Sequence, residues 1–109
     1  MGWKVYFFET GRGDRPVEQF ILKQPANIRA RINQSIFLLI NRGPFLKPPY
    51  MKKLQDKIYE LRIKSHVAIR IFYSPKDGTY YLLHAFKKKS QKTPAKELRI
   101  ALDRMRKII

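Results

Sequence analysis

"IYELRIKSHVAIRIFYSPKDGTYYLLHAF", residues 58–86, decides how this chain folds. Its first run, residues 58–63, alternates. Tyr59, Leu61 and Ile63 fall on one side, Ile58, Glu60 and Arg62 on the other. Residues 67–73 repeat the pattern, with Val67, Ile69 and Ile71 opposite Ala68, Arg70 and Phe72. A period of two is the mark of a strand with one face on a core. "SPKDG", residues 74–78, is a hairpin turn, because Asp-Gly tolerates the backbone that tight turns demand. Residues 79–86 are apolar nearly throughout, which fits a central strand covered on both faces.

The flanking segments supply the cover. Residues 3–8, "WKVYFF", read as a first strand, broken by the glycines of "ETGRGD". "RPVEQFILKQ" reads as a short helix with Asp14 or Arg15 at its cap and Pro16 in its first turn. A missing N–H costs nothing there. Its apolar stripe is Val17, Phe20 and Ile21. A longer helix follows over residues 26–42, with Ile28, Ile32, Ile36, Leu39 and Ile40 at helical spacing. Gly43 and Pro44 end it. Residues 44–57, "PFLKPPYMKKLQDK", read as a proline-rich irregular segment. At the other end Thr93 caps and Pro94 starts a helix to about Lys107, with Leu98, Ala101, Leu102 and Met105 inward. The predicted order is β-α-α-β-β-β-α. That is an α+β domain over residues 1–109: a mainly antiparallel sheet, two N-terminal helices packed on it and a C-terminal helix.

Charge narrows the function. Against 24 Lys and Arg stand 8 Asp and Glu, a formal charge of +16 on 109 residues. A folded domain so basic repels itself and attracts nucleic acid, anionic surfaces or acidic proteins. With no cysteine there is neither a disulfide nor a thiolate metal site. No apolar run approaches the length of a membrane span, and the first residues lack a signal peptide's apolar stretch. These features point to the cytoplasm. Asp14, Asp56, Asp77 and Asp103 are dispersed, so no metal ligand set is visible, and no phosphate-binding glycine loop or nucleophile elbow occurs.

The position of the charge matters more than its amount. Arg62 and Arg70 lie inside strands. If neighbouring strands bring them to one face, they form a guanidinium pair able to clamp a phosphate. The alternative is a solvated face, or Glu60 paired with one arginine. Lys52 and Lys53 precede one strand, and Lys87, Lys88 and Lys89 follow another. An antiparallel sheet can bring both groups to one end of the arginine face. His84 can face either the core or the basic side, and His66 lies in a turn.

These residues resemble the RelE/ParE toxin superfamily of bacterial type II toxin–antitoxin systems, in particular its HigB-like, phage-derived branch. "KKLQDKIYELR", "AIRIFY" and "LLHAFKKKSQKTPAKEL" carry the resemblance. They cover the C-terminal half, while the N-terminal half agrees in element order alone. The resemblance implies a RelE-like fold and a ribosome-dependent mRNA endoribonuclease (an mRNA interferase) that inhibits translation without metal or cofactor. Its implied partners are mRNA on the ribosome, rRNA and a HigA-like helix-turn-helix antitoxin, with no membrane. By position, Arg62 and Arg70 would hold the scissile phosphate. Lys53, with Lys52 as fallback, Lys88 and His84 would lie at the reaction centre, one lysine moving the proton. Lys47, Lys52, Lys57, Lys87, Lys89 and Lys92 would bind RNA. Lys57 and Ala85 stand where the branch often has glycine. A ParE-like gyrase inhibitor, a non-catalytic RNA- or ribosome-binding protein, and a degenerate toxin are the rival readings.

Overall fold

The computed structural model describes residues 2–108. The elements are β1 (Lys4–Phe7), α1 (Pro16–Leu22), α2 (Ala26–Arg42), a 3-10 turn (Gly43–Phe45), β2 (Met51–Gln55), β3 (Ile58–Ile63), β4 (Ile69–Lys76), β5 (Thr79–Lys87) and α3 (Ala95–Ile108). One five-stranded sheet results, in the order β1-β5-β4-β3-β2. Among the described residues the β1–β5 pair is parallel and the other three pairs are antiparallel. The α+β class, the antiparallel sheet and the three helices are as expected.

The expected order is one strand short. Residues 51–55, read as irregular, form β2 at the sheet edge. With Lys52, Lys53 and Gln55 exposed, the run carries little apolar signal. A bulge between Lys53 and Gln55 breaks what alternation it has. Lysines on an edge strand also discourage pairing with a second chain. The second hairpin is tighter than expected. Strand β4 continues through Lys76, and Asp77 and Gly78 alone turn, with φ of 51° and 75°. Two positive φ angles match the twist of the flanking strands.

Each face of the sheet has its own core. Val17, Ile21, Ile28, Ile32 and Leu39 of α1 and α2 pack on Leu61, Ile63, Ile69, Ile71 and Leu82. On the other face Ala101, with Leu98, Leu102 and Met105 of α3, covers Ile58, Phe72, Leu83 and Phe86. Strand β5 therefore has cover on both faces, which accounts for its apolar run. Gly43 ends α2 at φ 50°, where its missing side chain makes room for Trp3: a Cβ there would lie 2.3 Å from the indole. Among the described residues no helix is long and apolar enough to cross a membrane.

Candidate functional site

The β3–β4 register sets Arg62 directly opposite Arg70 and Glu60 opposite Phe72. On β5, Phe86 flanks Arg70 and His84 flanks Phe72. These residues share the face turned away from α1 and α2. Glu60 lies beneath the arginines with its side chain 1% exposed. Its Oε1 accepts a hydrogen bond from Arg62 Nε at 3.1 Å and lies 3.6 Å from Arg70 Nε. The Thr93 hydroxyl donates to its other oxygen at 3.5 Å. Thr93, expected as the cap, lies two residues before α3 (Ala95–Ile108) and gives its hydroxyl to the strands instead of the helix.

Two guanidiniums above one carboxylate leave one positive charge uncompensated. The strain concentrates on Arg70, whose side chain is 14% exposed. Its Nη1 donates to the Ile69 carbonyl at 3.1 Å, but its buried Nε has no hydrogen-bond partner. Burial pulls the Arg70 pKa below its ordinary value, Glu60 opposes that, and Arg62 adds to it. A guanidinium remains charged even so. A partly desolvated guanidinium beside a second one favours added negative charge at its exposed edge.

The lysines divide. Lys88 and Lys89 join Arg70, Ala68, Ser90 and Gln91 around an open basin of about 420 Å³. The Lys88 backbone N–H is tied to the Ala68 carbonyl at 2.8 Å, which holds this wall in place. Lys52 pairs in register with Glu60 and shares the arginine face. Lys53, the next residue, pairs with Tyr59 and lies on the opposite face, its Nζ 5.9 Å from the Tyr59 ring centre. Of the two lysines, the fallback is therefore the one beside the site. Lys57 turns the β2–β3 hairpin at the far end of the sheet, at φ 63°. Lys47 precedes β2, and Lys87 and Lys92 are exposed beyond the basin.

His84 has a structural task. Tyr73 pairs with Leu82 and Phe72 with His84, so Leu83 is an extra residue, a β-bulge. The bulge flips the parity of β5. Tyr80 and Leu82 face the first core, while His84 and Phe86 face the arginine side. His84 Nε2 lies 2.6 Å from Glu97 Oε1, and Arg104 Nη1 lies 3.4 Å from Nδ1. Arg104 also donates to the Leu83 carbonyl at 2.8 Å. Burial lowers the His84 pKa; Glu97 opposes that and Arg104 adds to it. The ring is neutral at pH 7, donating from Nε2 and accepting at Nδ1. It locks α3 to β5 and lies outside the arginine basin. Glu97 and Arg104 were missed in the sequence. About two turns apart on α3, they share one helix face, and that spacing was their only signal.

Residues 19–106 match the family described as "Phage derived protein Gp49-like (DUF891)". The chain belongs to that family. The Gp49-like family is RelE-type and toxin-like. The matched span runs from within α1 to near the end of α3, so it takes in Glu60, both arginines, all of the proposed lysines, His84 and Glu97. No curated protein matches the chain. Among the described residues, no group of three or more His, Cys, Asp or Glu side chains gathers as a metal ligand set would. Charge on this Gp49-like face is cationic, and the chemistry it offers is the binding and polarisation of an anion.

Proposed function

We propose that this Gp49-like protein is a toxin that cuts mRNA on the ribosome. The observation that carries this reading is the Arg62–Arg70 pair held over the single buried carboxylate of Glu60. The pair is fixed by strand register and is one positive charge in excess, and its Arg70 lines a basin walled by Lys88 and Lys89.

RNA carries its own nucleophile. The 2′-hydroxyl oxygen attacks the adjacent phosphorus, and the bond from phosphorus to the 5′-oxygen breaks. The 2′-hydroxyl proton leaves and the 5′-oxygen gains one. The products are a 2′,3′-cyclic phosphate and a 5′-hydroxyl. Negative charge on the phosphoryl oxygens rises in the transition state. Arg62 and Arg70 meet it with guanidinium N–H donors held in place by strand register and by Glu60. Lys88 or Lys89, as ammonium groups beside Arg70, can donate the proton to the leaving oxygen. The ribosome supplies the alignment of the mRNA, a contribution that a small basic face cannot make alone. A helix-turn-helix antitoxin, the HigA-like partner of the resemblance, neutralises the toxin.

The test is purified ribosomes carrying a defined mRNA, incubated with the protein. Cleavage giving cyclic-phosphate and 5′-hydroxyl ends supports the reading, and Arg70→Ala lowers the rate about 10²–10³-fold. Ribosome binding with intact mRNA contradicts it and makes the protein a non-catalytic binder. Intact mRNA with damaged DNA in expressing cells makes it a gyrase inhibitor.

A further inference from the structure

A second cleft adjoins the arginine basin. Strand β1 pairs with β5 along Thr79–Leu82, and among the described residues no strand pairs with the last part of β5 on that side. A space of about 490 Å³ runs along this bare edge, between α1 and the start of α3. Ala85 and Phe86 line it from β5, Phe20 from α1 and Glu97 from α3, with Lys87 and Lys89 at its rim. Lys89 and Ser90 border both spaces, so the cleft opens directly onto the arginine basin.

Its chemistry differs from that of the basin. It offers aromatic rings, cations at the mouth and one carboxylate. Glu97 receives His84 on Oε1, while among the described residues nothing donates to Oε2. The bond to His84 holds the Glu97 carboxylate in place on the cleft wall. Aromatic rings with flanking cations are the common means of holding an unpaired base of single-stranded nucleic acid. A carboxylate accepts from an exocyclic amino group, as from cytosine N4.

We propose that this cleft is a nucleobase subsite. The base next to the phosphate held by Arg62 and Arg70 stacks on Phe20, and Glu97 Oε2 accepts a hydrogen bond from its amino group. Adenine, cytosine and guanine carry such a group. Uracil does not, and its two carbonyl oxygens flank its only N–H and are repelled by the carboxylate. The subsite rests on the reading of the arginine basin as an RNA phosphate site, and it adds a base preference to that reading.

Fluorescence anisotropy with short labelled homopolymers of adenosine, cytidine and uridine tests the inference at fixed low salt. The wild-type protein binds the adenosine and cytidine chains more tightly than uridine. Phe20→Ala weakens all three by about 5- to 150-fold, the range of one base stacked on one ring. Phe20→Leu, which keeps apolar contact with the core, shows the same direction if the alanine variant does not fold. Glu97→Gln keeps an acceptor for His84 but presents an amide donor, so the preference shifts towards uridine. A merely structural Glu97 would not move that ratio.

Equal affinity of the wild type for all three chains overturns the subsite, as does no binding at all or wild-type affinity in both Phe20 variants. Failure of the functional proposal looks different. If binding depends on Phe20 and Glu97 but mRNA on the ribosome stays intact, the subsite stands and the nuclease reading falls.

Discussion

Glu60→Gln is the most informative perturbation of the arginine pair, because it removes one charge and almost no volume. In the native protein the carboxylate, 1% exposed, lies 3.1 Å from Arg62 Nε and 3.6 Å from Arg70 Nε. Without it, two guanidiniums directly opposite each other on adjacent strands have no counter-ion. Removing one partner of a fully buried ion pair costs about 3–5 kcal/mol. Arg70 is 14% and Arg62 31% exposed, so water screens part of the repulsion. The expected loss is therefore at the lower end, about 3 kcal/mol. For a domain of this size that lowers Tm by roughly 13 °C. Thermal unfolding followed by circular dichroism at low salt reads it directly. Adding Arg62→Gln to Glu60→Gln removes the opposed charge and restores at least half of the loss. A single-stranded RNA oligonucleotide stabilises Glu60→Gln more than wild type, because the phosphate supplies the missing negative charge. A Glu60→Gln variant that melts within about 2 °C of wild type would refute the claim that this carboxylate holds the pair together.

Three further outcomes follow from the same geometry. Lys57 sits at φ 63° in the β2–β3 turn; Lys57→Gly relieves that conformation and raises stability by up to about 1 kcal/mol in urea unfolding, with RNA affinity little changed. Gly43→Ala places a Cβ 2.3 Å from the Trp3 ring at φ 50° and lowers stability by about 2 kcal/mol or more in the same assay. Burial holds the His84 pKa below its ordinary 6.5, so the unfolded chain takes up that proton first as pH falls. The histidine contribution to stability is therefore complete above pH 6.5 and declines as pH drops through the folded value. Unfolding curves of wild type and His84→Gln, compared between neutral and mildly acidic pH, converge in that direction; a gap that is constant with pH contradicts it.

Much of the fold was legible because alternation and caps are local. Alternation put Glu60 and Arg62 on one face of β3 and Arg70 inside β4. The β3–β4 register that sets the two arginines opposite each other came from the structure. The end of α2 followed from Gly43 and Pro44. Strand β2 was not legible. It is a lysine-rich edge with a bulge, and its hydrogen bonds to β3 hold it, with little apolar pattern to announce it. Missing that strand also hid the parity that separates Lys52 from Lys53. The side chosen by His84 was equally out of reach, because a bulge at Leu83 reverses the alternation that would have placed it. Its partners Glu97 and Arg104 lie 13 and 20 residues away and meet it through the packing of α3. Tertiary contacts of this kind leave no periodic trace.

The central claim is that the arginine pair forms the centre of an RNA-cutting site. Mapping mRNA 5′ ends in cells after brief induction tests it most directly, with wild type, Arg62→Ala, Arg70→Ala and Lys53→Ala expressed to equal levels. New ends inside translated messages with wild type and Lys53→Ala, and their loss with either arginine variant, are the predicted result. Unbroken messages with wild type, or the same ends from the arginine variants, would contradict it.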